Sequence, residues 1–242
     1  MKMRGLSLSD RIILALDTSS EKQAKEWVEA IGDAASFYKV GSELFTAQGP
    51  SIVQWLRQNG KNVFLDLKFH DIPATVGKAV MSALNLDVQI INVHCSGGSK
   101  MIQQAVDVIA QSDMKTKPLL IGVTVLTSMD QASLQSVTIA PVDLKKHVLH
   151  LAKLGKNAGL DGVVCSAHEV SDIKKQIGDT FVAITPGIRL ASDQDDDQSR
   201  VMTPEKAFQC GADFLVMGRS ILAASDPKGV LKSIHSHCKG LG

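Results

Sequence analysis

The chain has 242 residues, 44% hydrophobic and 21% charged, with 26 Lys+Arg against 25 Asp+Glu. That hydrophobic content can build a full core, and the balance excludes disorder, which needs low hydrophobicity and high net charge. A formal charge of +1 removes the usual electrostatic case for a nucleic-acid partner or an acidic membrane surface.

Strand and helix patterns alternate from end to end. Arg11–Asp17 reads as a first strand, and Ser19 or Ser20 can cap a helix with Ala24, Trp27 and Ile31 on one face, closed by Gly32. Ser36–Gly41 is the second strand. A short helix over Pro50–Gln58 turns Ile52, Val53 and Leu56 inward. Asn62–Phe69 is the third strand and Thr75–Leu84 a helix. Val88–Cys95 is the fourth strand, followed by a helix over Ser99–Gln111 with Met101, Ile102, Ala105 and Ile109 on one side. Pro118–Val125, Gly162–Ser166, Phe181–Gly187 and Phe214–Ser220 supply strands five to eight. Helices are predicted over Val142–Leu154 and His168–Gln176, and from the start signals Thr203-Pro204 and Asp226-Pro227. Successive strand ends lie about 29 residues apart, the length of one βα unit. Eight such units over residues 1–242 predict a single-domain (β/α)8 TIM barrel. A doubly wound sheet is the alternative, but nothing would stop it at eight.

Cys95, Cys165, Cys210 and Cys238 form no C-x-x-C pair and have no histidine at zinc-finger spacing. Neither a disulfide framework nor a structural zinc site is expected, and a reducing, cytoplasmic compartment fits. The N-terminal MKMRGLSLSDR shows no signal-peptide pattern. The apolar runs are strand-sized, well short of a membrane span of about 20 residues.

In such a barrel the chemistry lies at the C-terminal ends of the strands, and that is where the charged residues fall. Asp17 ends strand one, Lys39 lies near the end of strand two, and Asp66, Lys68 and Asp71 lie at and beyond the end of strand three. His94 ends strand four, Arg189 follows strand seven and Arg219 ends strand eight. On strand three the period of two puts Val63, Leu65, Leu67 and Phe69 towards the helices, and Phe64, Asp66, Lys68 and His70 inside. Buried charges are costly unless paired. A structural ion pair plugging the barrel would answer that need, but two acids and two bases at one mouth exceed it. Arg189 and Gly218-Arg219 stand on the loops after strands seven and eight, where such barrels commonly hold phosphate. Glycine lets the backbone approach, and arginine matches phosphate oxygens in pairs. His94 fits a hydrogen-bonded barrel residue as well as a catalyst. Asp193–Asp197 reads as a solvated loop tip.

Asp66-Leu-Lys68-Phe-His-Asp71-Ile-Pro73 resembles the strand-three signature of the orotidine 5′-phosphate decarboxylase family. Ala15-Leu-Asp17, Tyr38-Lys39-Val-Gly41, Asn92-Val-His94, Thr124-Val-Leu-Thr-Ser128, Thr185-Pro-Gly-Ile-Arg189 and Met217-Gly-Arg-Ser220 extend the likeness in order along nearly the whole chain. Ala74 departs from the asparagine that bacterial members often carry. The resemblance implies conversion of orotidine 5′-monophosphate to UMP and CO2, with no metal and no organic cofactor. It implies that Lys68 gives a proton to C6, within a charged array of Lys39, Asp66, Lys68 and Asp71. It further implies a homodimer in which Asp71 and Thr75 reach the neighbouring site. Asp17 and Lys39 would hold the ribose, Thr127 the pyrimidine, and Arg189, Gln198, Gly218 and Arg219 the phosphate. The long Ile188–Met202 loop is expected to be a lid.

Two other readings compete. Sugar-phosphate decarboxylases or aldolases of the same superfamily are similar, but are understood to bind Mg2+ and to place an acid after strand two, where this chain has Lys39-Val-Gly-Ser-Glu43. A non-catalytic phosphate-binding barrel has no need of four converging charges.

Overall fold

The computed structural model describes residues 8–190 and 202–241. Eight parallel strands close into a barrel in chain order. They are β1 (Ile12–Ala15), β2 (Phe37–Gly41), β3 (Asn62–Phe69), β4 (Ile90–His94), β5 (Leu119–Val123), β6 (Gly162–Val164), β7 (Val182–Thr185) and β8 (Phe214–Met217). The seam is closed by β1 against β8, with Ile13 opposite Val216. The expected (β/α)8 barrel is therefore the observed one.

A short helix α1 (Leu8–Arg11) precedes β1, and α2 (Glu21–Ile31) returns to β2. Two helices, α3 (Ser42–Gln48) and α4 (Ser51–Gln58), follow β2. Then come α5 (Pro73–Leu84), α6 (Gly98–Gln111), α7 (Gln131–Ser136), α8 (Leu144–Asn157) and α9 (Ala167–Ile177). The chain ends with α10 (Pro204–Gln209), α11 (Arg219–Leu222) and α12 (Pro227–His237). Side-chain caps start several of them as the sequence predicts. Of the two candidate serines, Ser20 caps α2 by accepting from the Gln23 amide. Thr203 and Asp226 cap α10 and α12, each with proline at the first turn.

The period of two divides each strand between two apolar layers. Alternate residues such as Leu14, Val40, Leu65 and Ile91 face the helices and form the larger core with Ile52, Leu56, Val80, Ile102 and Val148. The others, Ile13, Phe37, Phe64, Ile90, Ile121, Ile184 and Phe214 among them, fill the barrel. Phe37 and Phe214 meet edge to face across it, with ring centres 5.8 Å apart.

The structure corrects the elements in three places. The strands are mostly shorter than predicted, because the loops begin as soon as the ladder ends at the mouth. Val28 joins Ala24 and Ile31 on the buried face of α2, while Trp27 is only partly buried. Helices α1, α3, α7 and α11, none of them predicted, have only four to seven residues each, too few for a period to show; α3 buries Leu44 alone. Asp193–Asp197 and most of the expected lid lie outside the described residues.

Candidate active site

The barrel changes from apolar to polar along its own axis. On β2 the inward face runs from Phe37 to Lys39, on β3 from Phe64 to Asp66, and on β4 from Ile90 to Asn92. Each step is two residues, so each strand turns one apolar and then one polar side chain into the same interior. The polar layer lies at the C-terminal mouth, the end that carries chemistry in this fold.

There the charges alternate. Lys39 Nζ lies 2.9 Å from Asp17 Oδ1 and 3.5 Å from Asp66 Oδ2. Lys68 Nζ lies 2.7 Å from Asp66 Oδ1. Asp66 is only 8% exposed, and a buried carboxylate persists only when paired and hydrogen-bonded. Two lysines and the Asn92 side chain, which donates to Asp66 Oδ1 at 2.6 Å, meet that need. Gly41 makes room for the arrangement, since a Cβ there would lie 3.0 Å from Lys39 Nζ.

Lys68 reaches Asp66 by an unusual backbone route. The register of β3 on β4 shifts between Leu65 and Phe69, a bulge that interrupts simple alternation. Lys68 has φ of 51°, a left-handed conformation that costs a non-glycine residue of order 1 kcal/mol. The predicted inward set therefore holds for Phe64, Asp66 and Lys68, which line the barrel interior, and fails at the next position. His70, expected inside, is exposed. It lies against His94, with ring centres 5.2 Å apart. Burial pushes the pKa of His94 down, and His70 and Lys68 add to that, while Asp66 opposes it.

Asp71 and Thr75 are not drawn into this array within one chain. Both are exposed, and the Asp71 carboxylate accepts a hydrogen bond from the Ile72 amide. Ile72, next to Asp71 in the chain, is an exposed apolar side chain, as is Met81 further along α5.

Three chambers open at the mouth; one, of about 450 Å3, is lined by Thr127, Lys145, His168, Glu169 and Pro186, and the other two hold the charged residues of the array. The inner one, about 190 Å3, is lined by Lys39, Asp66, Lys68, Thr127 and Pro186. The outer one, about 540 Å3, is lined by Asp17, Lys39, Arg189, Gly218, Arg219 and Ser220. They share Lys39, Pro186 and Val216, and so form one elongated cleft with two arginines at its wide end. Glu43, in the first turn of α3, is exposed, whereas Lys39 reaches the cleft. Gln198 lies outside the described residues. A separate groove of about 620 Å3 follows Lys100, His150 and Lys153 between α6 and α8, on the outer wall.

A family model described as "Orotidine 5'-phosphate decarboxylase / HUMPS family" matches residues 10–234. The chain belongs to this family. A Vibrio parahaemolyticus protein named orotidine 5′-phosphate decarboxylase is 48% identical over 228 residues, 94% of this chain and 97% of its own length. One of the same name from Legionella pneumophila is 50% identical over 227 residues, covering 94% and 98%. The crystal structure of orotidine 5′-phosphate decarboxylase from Lactobacillus acidophilus superposes with a TM-score of 0.85 at 37% identity, covering 96% of this chain and all of that one. No described helix is long and apolar enough to cross a membrane.

Within this decarboxylase-type barrel, the mouth brings together Asp17, Lys39, Asp66, Lys68 and Thr127, with Arg189, Gly218 and Arg219 beside them. Two residues of the same site, Gly41 and Asn92, enter the sequence analysis only as members of motifs, with no role of their own. The signal for Asn92 was available: an amide flanked by Ile90, Ile91 and Val93 in a strand asks what satisfies it.

Proposed function

We propose that this protein decarboxylates orotidine 5′-monophosphate to UMP and CO2, using its own side chains and no metal or organic cofactor. The observation that carries this reading is the alternation of Asp17, Lys39, Asp66 and Lys68 over contacts of 2.9, 3.5 and 2.7 Å, beside a two-arginine cleft, in a chain of this family.

The reaction breaks the bond between C6 and the carboxylate carbon. CO2 leaves, and the electron pair stays on C6, in the ring plane, where the π system cannot take it up. An ammonium fixed beside C6 stabilises that charge as it forms and then protonates it. Lys68 is that group, and the Asp66 carboxylate orients it. The lysine left neutral regains a proton from solvent. Lys39 and Asp17 hold the ribose hydroxyls, Thr127 contacts the pyrimidine, and Arg189, Gly218 and Arg219 grip the phosphate with Gln198. Phosphate binding far from the reacting bond serves the chemistry by holding the nucleotide in its reactive pose.

Asp71 and Thr75 complete a neighbouring site in a homodimer. Their exposure beside the open apolar side chain of Ile72 supports this, because charge and apolar surface left open together suit a partner's cover.

The test is a spectrophotometric decarboxylation assay on orotidine 5′-monophosphate with chelator present. Full activity is expected, and Lys68→Ala should lower it by about 10^3-fold or more while UMP binding stays measurable. No turnover of this nucleotide, with Mg2+-dependent turnover of a keto-sugar phosphate, would favour the sugar-phosphate reading. Turnover near the wild-type level in the Lys68 variant would remove the proton-donor assignment.

A further inference from the structure

We infer that Asn92 is a positioning residue, whose one side-chain amide sets where the Lys68 ammonium stands against Asp66. The kinetic part of this inference rests on the decarboxylase reading above. Asn92 sits in the middle of β4 and is fully buried. Its Nδ2 donates to Asp66 Oδ1 at 2.6 Å, and its Oδ1 accepts from the Lys68 backbone N–H at 2.8 Å. The partners decide which way the amide points, because a carboxylate can only accept and a backbone N–H can only donate.

The need for such a group follows from the bulge. Leu65 pairs with Ile91 and Phe69 with Val93, so β3 takes four steps where β4 takes two. The extra length leaves Lys68 off the ladder at φ 51°, and its N–H must find another acceptor. Asn92 supplies one. It thereby fixes the backbone from which the lysine side chain springs. The other end of the same planar amide fixes the carboxylate to which the lysine points, on the oxygen that also takes Lys68 Nζ at 2.7 Å. Leucine would satisfy neither partner, and aspartate would offer acceptors to both. An asparagine that served only the core could satisfy itself on any strand, whereas both bonds here end on one charged pair.

Two variants separate the two bonds. Asn92→Asp keeps shape and the acceptor for Lys68 N–H but sets a second carboxylate against Asp66. Asn92→Ala removes both bonds. Each would be measured for kcat on orotidine 5′-monophosphate, for UMP affinity by calorimetry, and for backbone amide hydrogen exchange at Lys68. The expected result is a kcat about 100-fold below wild type in both, the penalty of a slightly misplaced catalytic group, with UMP affinity within about threefold. Exchange at Lys68 should stay slow in Asn92→Asp and become fast in Asn92→Ala. The inference is overturned by a kcat within about twofold of wild type in either variant, or by unchanged Lys68 exchange in Asn92→Ala. Equal losses in kcat and UMP affinity, or failure of both variants to fold, would also overturn it. A wild-type protein inactive on this substrate would instead sink the decarboxylase reading, while the exchange comparison would still report what Asn92 holds.

Discussion

The Lys39 ammonium occupies space that a side chain on Gly41 would claim. A Cβ at Gly41 would come within 3.0 Å of Lys39 Nζ, and Gly41 lies directly opposite Asp66 across β2 and β3. The glycine thus opens the path by which Lys39 passes from Asp17 to Asp66. Its φ of −93° is open to any residue, so backbone conformation is not the reason for glycine here. Gly41→Ala is expected to fold with a melting temperature near wild type, because the atom in the way ends a flexible chain. Its kcat should fall about tenfold as Lys39 is displaced. Steady-state kinetics and a melting curve check this, and an unchanged kcat would show that Lys39 yields without leaving Asp66.

The wide end of the cleft is expected to read phosphate. Arg219 is exposed at the start of α11 and lines the outer chamber with Arg189. Hydrogen bonds to charged groups contribute about 1.5–3 kcal/mol each. Arg219→Ala should therefore raise KM for orotidine 5′-monophosphate roughly 10- to 150-fold. Turnover of the nucleoside lacking the phosphate should stay the same. If both substrates suffered alike, Arg219 would be acting on the fold rather than on the phosphate.

The proposed sharing of sites makes a prediction that a monomer cannot meet. Lys68→Ala and Asp71→Ala should each be nearly inactive alone. Mixed in equal amounts and allowed to exchange subunits, they should regain activity. Hybrid dimers hold one intact site each, so about a quarter of all sites should recover. Activity that stays at the level of the two variants after exchange, with hybrids shown by mass spectrometry, would place Asp71 in its own chain's site.

Stability should fall on mild acidification, in part through His94. Burial, reinforced by His70 and Lys68, holds its folded pKa below the ordinary 6.5. Between the folded and unfolded values the unfolded chain binds more protons, so this contribution is intact above about pH 6.5 and is lost as pH falls below it. His235, also lowered by burial, acts in the same sense. Glu169 and Asp161 are raised by burial and act oppositely. The drop in melting temperature from pH 7.5 to 5.5 should be smaller in His94→Gln than in wild type. An equal drop in both would remove His94 from the account.

Much of the fold is legible in the residues themselves. Met101, Ile102, Ala105 and Ile109 are the buried residues of α6, as their spacing predicts. Thr203-Pro204 and Asp226-Pro227 start helices where a capping side chain and a proline at the first turn require them. Alternation along β3 put Phe64 and Asp66 inside and Val63 and Leu65 against the helices, and the two cores divide along that line. These signals are local: each compares a residue with neighbours a few positions away, and helical and strand periods live at that range.

The arrangement of the site depends on longer distances. Asp17 and Lys39 are 22 residues apart and Asp66 and Asn92 26 apart, and no period links them. Sequence alone identified the barrel, the mouth and most of the charged side chains that gather there, because strand ends in this fold can be counted. Closure of the sheet decided which of them touch. It set Asp66 between two lysines, put an amide from the next strand beneath it, and turned Lys68 into a left-handed bulge. A buried carboxylate must be satisfied by whatever closure brings near, and only the tertiary structure names those partners.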